Sequence, residues 1–200
     1  CDSDHSKCEN VRGTDLLEEA VSLCQHHDSI TGTEKQAVAD DYHLWIYEGL
    51  LQSQKVVSKA FESLMQGSHF GKGHALPPFE FCNLLNVSIC EATAKISSDI
   101  EDGSIMVTVY NPTSFTRKIP IFVPISLSKA ESWQVIGPDG AKVSSDVVEF
   151  SKNTKKLQKY YYGGEKPDIV ADANVVFLAS VEGLGFSVFE IQPDWDVEFT

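Results

Sequence analysis

Basic residues and long apolar runs are scarce in this chain. Its 200 residues include 16 Lys and Arg against 29 Asp and Glu, which gives a formal net charge of −13. Nucleic acids and anionic membrane surfaces are bound through basic patches, so this balance argues against both kinds of partner. No apolar run approaches the roughly 18 residues that a membrane span requires. We therefore predict no nucleic-acid partner and no membrane span.

Several enzyme signatures are absent as well. The sequence contains neither a G-x-S-x-G nucleophile turn nor a glycine-rich phosphate loop. It also has no internal repeat and no low-complexity tract. A hydrophobic fraction of 42% with 10% aromatic residues is ordinary for a globular chain. The composition thus predicts one large folded domain or two small ones.

Cysteine usage and one glycosylation motif indicate the secretory pathway. Asn86 begins an Asn-Val-Ser sequon, whereas Asn111 is followed by proline, which blocks modification. Cys82 and Cys90 bracket the sequon, and in an oxidising compartment they would close a small structural loop. The pairing of the other three cysteines stays open: Cys1, Cys8 and Cys24. Since the sequence starts at Cys1 without a signal peptide, we expect a mature or cleaved product, or a part of a longer chain.

Helical periodicity dominates the first third of the chain. Asp15 with Glu18 forms a capping box, and apolar residues recur at three- and four-residue steps through Cys24. Extending this stripe places His27 on the apolar, inward face, with His26 turned about 100° away. Residues 29–32 then form a turn. A second capping box, Thr33 with Gln36, opens a long helix that ends near Gly67.

The long helix and the one before it are predicted to form an antiparallel hairpin. Its predicted buried side comprises Val38, Tyr42, Trp45, Gly49, Val56, Ala60 and Leu64. Two helices cannot close a core, so we predict a three-helix bundle completed from elsewhere.

Beyond Gly103 the periodicity changes to that of strands. The predicted strands are residues 105–110, 118–123, 133–136, 146–150, 175–178 and 186–191, separated by glycine- and proline-containing turns. The fold class is therefore α+β: a helical hairpin followed by an antiparallel β-sandwich. The predicted segments are an irregular entry (1–14), the helical region (15–67), a linker with the small disulfide loop (68–103) and the β-sandwich domain (104–200).

The triplet His26-His27-Asp28 allows two interpretations. It could be a polar helix terminus, because histidines interact well with the last carbonyl groups of a helix and aspartate often starts a turn. Alternatively it is part of a metal or catalytic site, although no second ligand cluster with a recognisable spacing accompanies it. The remaining histidines are predicted to be solvated or structural: His5, His43, His69 and His74.

Two other groups of residues are candidates for a catalytic or a sugar-binding site. Asp40 and Asp41 are adjacent on a helix and do not face each other, so a solvated face is the better interpretation. The basic and aromatic run 152–166 contains Tyr160, Tyr161 and Tyr162, which could stack on a sugar ring. An exposed strand or hairpin is the default expectation for that run.

The segment HHDSITGTEKQAVADDY at residues 26–42 resembles the HHDAVSGT-type segment of glycoside hydrolase family 38, the class II α-mannosidases. Four further segments are similar to the lysosomal branch of that family: FEFCNLLNVSIC at 79–90, VTVYNP at 107–112, VSSDVV at 143–148 and LGFSVFEI at 184–191. The long helix departs from the pattern, because the lysosomal branch carries a cysteine near the position of Ser53. The resemblance covers nearly the whole chain and favours the site interpretation of the triplet.

What the resemblance implies is a zinc-dependent retaining α-mannosidase that hydrolyses terminal α-linked mannose from N-glycan-type oligosaccharides. His27 would bind the zinc, Asp28 would line the sugar site, and His26 would lie next to the substrate. The residues 15–67 would include the end of the catalytic region, and no catalytic carboxylate of the family lies in this chain.

The resemblance also implies partners and a location. The nucleophile and the acid/base would come from an upstream chain of the same processed precursor, a further chain would supply downstream β domains, and the assembly would be an oligomer. The location would be the lysosome or vacuole, or outside the cell. The alternative function is a non-catalytic carbohydrate-binding or assembly subunit whose β-sandwich recognises sugar.

Overall fold

The computed structural model describes residues 13–65, 79–93, 104–128, 130, 132–162 and 171–194. The chain divides into two compact units, residues 1–80 and residues 81–200. The first unit is helical, and the second contains two antiparallel sheets. This arrangement confirms the predicted α+β class. No helix in the described part of the chain is long and apolar enough to cross a membrane.

The helical unit contains two helices joined by a short helical turn. Its elements are α1 (Asp15–Leu23), α2 (His27–Thr31) and α3 (Gln36–Met65). Helix α1 starts one residue earlier than the capping box predicts: Thr14 is its N-cap residue, and the Thr14 hydroxyl donates to Glu18 Oε1 at 3.1 Å. Helix α3 begins at Gln36, which is later than the second capping box predicts, so Thr33 does not cap it. The predicted C-cap, Gly67, lies outside the described residues.

Gly49 allows α1 and α3 to pack at close range. A Cβ atom built on Gly49 would lie 2.6 Å from the Leu17 Cα and 2.8 Å from the Leu17 backbone nitrogen. Real Cβ contacts are essentially never that short, so the two backbones approach at a distance that only glycine permits. The predicted inward position of Gly49 is therefore confirmed.

Most of the other predicted buried positions of α3 are exposed. Trp45 is 36% exposed and Leu64 63%, while the buried residues of the helix are Gly49, Ser53, Ser58 and Met65. Length explains the difference, because the 9 residues of α1 span about 14 Å and the 30 residues of α3 about 45 Å. Helix α1 therefore covers about a third of α3. The third helix of a bundle stays a prediction.

The β unit contains all six predicted strands and one short additional one. Its elements are β1 (Ile105–Asn111), β2 (Arg117–Ile125), β3 (Trp133–Ile136), β4 (Lys142–Val143), β5 (Ser145–Glu149), β6 (Ala173–Val181) and β7 (Gly185–Pro193). One sheet has the order β1-β7-β3-β4 and the other β2-β6-β5, with antiparallel pairing throughout these strands. The sequence did not predict β4, because a two-residue strand carries no periodicity.

Both sheets contribute to one hydrophobic core. Alternate residues along β6 are buried, from Ala173 to Val181, as expected for a strand with one covered face. Ile125 from one sheet and Val135 and Ile191 from the other are fully buried. Phe177 of β6 contacts Phe189 of β7 at a ring-centroid distance of 5.0 Å, so aromatic packing joins the two sheets.

The basic and aromatic run after β5 is a helix, not the expected strand or hairpin. Helix α4 (Lys152–Tyr161) begins after Ser151, whose hydroxyl accepts from the Thr154 backbone N–H at 3.1 Å. Its buried residue is Gln158, whose side-chain amide donates to the Ser88 carbonyl at 2.9 Å. A tertiary contact therefore fixes this helix against the disulfide loop.

Asn111 is the buried polar centre of one end of the β unit. Its amide nitrogen donates to the carbonyl oxygens of Phe115, Val181 and Glu182 at 2.8, 3.0 and 3.1 Å. Its side-chain oxygen accepts from the Thr113 N–H and the Thr113 hydroxyl. The side chain is fully buried, and these bonds tie the β1–β2 loop to the β6–β7 turn.

Candidate metal centre

The triplet His26-His27-Asp28 forms the start of α2 and does not continue α1. The amides of Gln25 and His26 bond to carbonyls three residues earlier, at 3.2 and 3.0 Å, which tightens and ends the helix. His26 then takes an extended conformation (φ −54°, ψ 139°), and α2 starts at His27. The periodicity of α1 therefore does not continue to His27. The prediction that His27 faces inward is wrong, because its side chain is 82% exposed.

The predicted turn at residues 29–32 is also different in the structure. Helix α2 extends from His27 to Thr31 and ends at Gly32, whose φ of 68° is left-handed. The chain therefore changes direction at Gly32, because glycine adopts a left-handed conformation at little cost.

The three side chains of the triplet bring their donor atoms together. His26 Nε2 lies 3.3 Å from Asp28 Oδ2, and His27 Nε2 lies 3.6 Å from Asp28 Oδ1. One potential ligand atom from each residue lies within 4.8 Å of the other two. Each oxygen of the Asp28 carboxylate therefore lies near one imidazole, and the two imidazole ring centroids are 4.3 Å apart.

This donor set fits a transition metal. Zinc binds imidazole nitrogen and carboxylate oxygen at roughly 2.0–2.2 Å, so tetrahedral ligand atoms are separated by about 3.3 Å. The two His–Asp separations are close to that value. Both histidines are exposed, and a group of three ligands leaves coordination positions for atoms from outside the triplet.

Threonine hydroxyls around Gly32 orient the carboxylate. Thr33 Oγ1 donates to Asp28 Oδ1 at 3.0 Å, and the Thr33 backbone N–H donates to the Asp28 carbonyl at 2.9 Å. Thr31 Oγ1 donates to the His27 carbonyl and lies 2.9 Å from Thr33 Oγ1. Such outer contacts fix the direction of a ligand side chain. This role of Thr33 was not predicted, because its spacing to Gln36 indicated a capping box at the start of α3.

The other candidate residues form no comparable group among the described residues. Asp40 accepts from the Gln36 side chain at 2.8 Å on the exposed surface of α3, and Asp41 is also exposed. His43 is exposed on the same helix. His5, His69 and His74 lie outside the described residues.

The tyrosines of α4 do not form one flat platform. Tyr160 is 81% exposed, and its ring meets that of Tyr161 edge to face, at an interplanar angle of 86°. Two perpendicular rings cannot both present their faces to one sugar. Tyr162 lies in a different environment, because burial, and secondarily the charge of Glu91, raises its pKa above 10.0.

The structure contains the one disulfide that the sequence predicts. Cys82 and Cys90 form a disulfide, as predicted, with a Cα–Cα distance of 4.8 Å. Cys24 is a free, half-buried thiol. Cys1 and Cys8 lie outside the described residues.

The segment that contains the triplet matches a known protein family. A family model described as the α-mannosidase middle domain matches residues 7–64, which include the triplet and nearly all of α3. This match shows that the helical segment is similar to the middle domain of α-mannosidases. The chain belongs to glycoside hydrolase family 38, the α-mannosidases.

Individual relatives extend the match through the β unit. The chain is 34% identical over 183 residues to an α-mannosidase of Arabidopsis thaliana, covering 89% of this chain and 17% of that protein. It is 37% identical over 177 residues to the lysosomal α-mannosidase of Dictyostelium discoideum (88% and 15%). It is 32% identical over 181 residues to that of Homo sapiens (90% and 15%). The chain therefore spans less than a fifth of the length of these relatives.

Proposed function

We propose that this chain is the middle segment of a zinc-dependent retaining α-mannosidase that removes terminal α-linked mannose from N-glycan-type oligosaccharides. The observation that carries the proposal is His27 in the His26-His27-Asp28 cluster, because it presents a metal-type ligand within the segment matched by the α-mannosidase middle-domain model. We further propose that the chain contributes to a three-helix bundle, which is followed by a β-sandwich. The proposed segments are the ones predicted from the sequence: 1–14, 15–67, 68–103 and 104–200.

In this proposal the residues of the triplet have different roles. His27 supplies an unprotonated ring nitrogen to zinc, and its exposure suits a ligand that must meet atoms from another part of the enzyme. Asp28, held by Thr33, directs one carboxylate oxygen toward the sugar, and His26 lies beside it. Zinc, when bound, would hold two mannose hydroxyls and favour a distorted ring.

The chemical step requires two carboxyl groups that the triplet does not provide. A retaining glycosidase uses one carboxylate as nucleophile and a second carboxylic acid to protonate the leaving oxygen. We propose that both are supplied by an upstream chain of the same precursor, and that the remaining zinc ligands are supplied with them. A further chain with β domains would complete the oligomer.

The proposed location is the lysosome or vacuole. Two of the relatives compared are named lysosomal α-mannosidases, and the Cys82–Cys90 disulfide is consistent with folding in an oxidising compartment. The other location that the secretory pathway allows is outside the cell.

A metal analysis of the assembled enzyme tests the zinc assignment. His27→Ala should lose bound zinc and activity while the oligomer keeps its size. His43→Ala, which changes an exposed histidine on α3, is the matched control and should retain both. Full zinc occupancy in the His27 variant would contradict the proposal.

The role of Asp28 has a separate test. Asp28→Asn keeps the side-chain shape and should keep the metal while losing most of the turnover. Thr33→Ala should show a smaller loss, because it removes the hydroxyl that orients Asp28 without removing the carboxylate. Unchanged kinetics in the Asp28 variant would refute a substrate contact.

A further inference from the structure

Two loops meet at one end of the β unit and expose large apolar side chains. Phe115, in the loop between β1 and β2, is 63% exposed, and Leu184, in the turn between β6 and β7, is 69% exposed. The Leu184 amide donates to the Thr113 carbonyl at 2.7 Å, and a Cβ atom built on Gly183 would lie 2.7 Å from the Phe115 backbone nitrogen. The two backbones are therefore in direct contact, and we refer to Phe115 and Leu184 as the apolar tip.

A polar network beneath the apolar tip holds both loops in one arrangement. Asn111 is fully buried, and its side-chain amide donates to three carbonyls, which belong to Phe115, Val181 and Glu182. At the surface, the Thr116 hydroxyl donates to the Glu182 carboxylate at 2.6 Å. Breaking the buried bonds would leave polar groups unpaired, which is costly. The loops therefore present the apolar tip in a preformed conformation.

Leu184 has a backbone conformation that leucine disfavours. Its φ is 52°, in the left-handed region, and the Gly185 amide donates to the Glu182 carbonyl at 3.2 Å across the same turn. Glycine or asparagine is the usual residue at such a turn position, because a larger side chain is strained there. Folding alone would favour either of those residues over leucine. An exposed apolar side chain on a strained backbone indicates a role beyond the folding of the β unit.

The apolar tip lies far from the points where the chain enters and leaves its sheet. In the β1–β7 pair, Asn111 is opposite Gly185 beside the tip, whereas Ile105 is opposite Ile191. The seven residues of β1 separate these two ends by about 20 Å. The chain therefore enters β1 and leaves β7 at the end opposite the tip. Neither adjoining segment starts beside the tip, so a covering partner would come from a more distant part of the protein.

We propose that the apolar tip docks into an apolar pocket on the upstream chain of the same α-mannosidase. This inference rests on the proposed function, which places the present chain between an upstream and a downstream chain. The aligned segment is only 15–17% of the length of the relatives, so most of such an enzyme lies outside it. The downstream chain would continue from the end of β7 opposite the tip, which favours the upstream chain as the partner.

The pocket should accept one aromatic ring beside one branched aliphatic side chain. Polar groups lie around the tip: Thr116 and Glu182 bond to each other, and Arg117 is exposed at the start of β2. An apolar centre with a polar rim is the usual composition of a protein–protein contact, and preformed anchor residues lose less conformational entropy on binding. The partner surface would therefore carry polar groups around an uncharged pocket.

A photochemical crosslink tests the contact in the assembled enzyme. A photoreactive phenylalanine analogue replaces Phe115, and the peptides linked to it after irradiation are identified by mass spectrometry. We expect a link to a peptide of the upstream chain. The same analogue at Tyr160, which is 81% exposed on α4 and outside the tip, gives the background. Links only to the present chain or to the downstream chain, or no link above the background, would overturn the proposal.

Substitution of Leu184 separates docking from folding. Asparagine adopts positive φ values more easily than leucine, so Leu184→Asn keeps the turn while removing the apolar side chain. Dissociation of the chains is followed by size-exclusion chromatography in rising urea. We expect a midpoint lower by roughly 1 M for Leu184→Asn and an unchanged midpoint for Leu178→Asn, which changes an exposed leucine of β6 outside the tip. If Leu184 were only a turn residue, its midpoint would stay the same or rise, and docking would be refuted.

Zinc content and chain composition are measured on the same samples, because docking and the proposed function can fail separately. A wild-type assembly that contains zinc and the upstream chain, but dissociates at the same urea concentration as Leu184→Asn, would refute docking alone. An assembly without zinc that still dissociates earlier in Leu184→Asn would refute the zinc proposal and support docking. Absence of any upstream chain from the wild-type enzyme would refute the proposed assembly, and docking with it.

Discussion

Gly49 offers a sharp test of how the helical unit is packed. Replacing glycine by alanine in an exposed helix usually stabilises a protein by about 1 kcal/mol through helix propensity. At Gly49 the new methyl group would lie 2.6 Å from the Leu17 Cα. Overpacking of this kind costs about 1–3 kcal/mol, and a backbone contact belongs at the upper end of that range. We therefore expect Gly49→Ala to destabilise the unit by about 1–2 kcal/mol.

Thermal unfolding and amide hydrogen exchange measure this effect. For a chain of this size, 1–2 kcal/mol corresponds to a Tm lower by roughly 2–8 °C. Hydrogen exchange should accelerate in α1, which is forced away from α3. Leu17→Ala added to Gly49→Ala should not restore stability, because the two nearest atoms, the Leu17 Cα and backbone nitrogen, remain after truncation. That failure of rescue distinguishes backbone contact from a side-chain clash.

A change in the sign of the effect would refute this reasoning. A Tm for Gly49→Ala higher than that of the wild type would mean that propensity outweighs packing and that α1 and α3 are not in close contact. Ala60→Gly is the control, because Ala60 is exposed on the same helix and should lose only the propensity term of about 1 kcal/mol.

Three further predictions concern the β unit. Asn111→Ala should cost about 3 kcal/mol in chemical denaturation, because it leaves buried carbonyl groups without donors; a loss below about 1 kcal/mol would count against the hydrogen-bond network. Cys82→Ser should cost about 2.5 kcal/mol from the lost ring closure, and an unchanged unfolding midpoint would contradict this. Glu91→Gln should lower the pKa of Tyr162 toward 10.0 in an ultraviolet absorbance titration, leaving the burial effect in place. Because folding raises this pKa, its contribution to stability is complete below pH 10.0 and is lost as the pH rises above that value; alkaline stability independent of Tyr162→Phe would refute it.

The strands could be predicted because their determinants are local. β-branched and aromatic residues are concentrated in the six segments, and turn formers such as Gly137 and Gly140 lie between segments. The Gly140 amide indeed donates to the Gly137 carbonyl at 3.0 Å. Helix α4 was missed because its four lysines and adjacent tyrosines suggested an exposed strand. Its decisive contact, Gln158 to Ser88, joins residues distant in sequence and leaves no local pattern.

The members of the candidate site could be found, but their orientation could not. Two histidines beside an aspartate are visible in any reading of the sequence, and the structure brings their donor atoms together. The end of α1 could not be predicted, because neither glycine nor proline interrupts the apolar spacing between Cys24 and His27. The helix ends through a tightened last turn, so the assumption of continuous phase gave the wrong direction for His27. The exposed face of α3 was misjudged for a related reason, since periodicity reveals an apolar face without revealing what covers it.

The strand order of the β unit has a consequence for synthesis of the chain on the ribosome. β1 and β3 both pair with β7, and β2 and β5 both pair with β6, so the three-stranded sheet must wait for β6 and the four-stranded sheet for β7. Pairing between residues as distant as Ile105 and Ile191 carries a high loop-closure entropy and is slow. Apart from the short β3–β4 pair, the strands of a nascent chain would therefore remain unpaired until β6 and β7 are translated. That interval exposes apolar strands to chaperones and to aggregation, and the rate of translation through β6 and β7 would control its length.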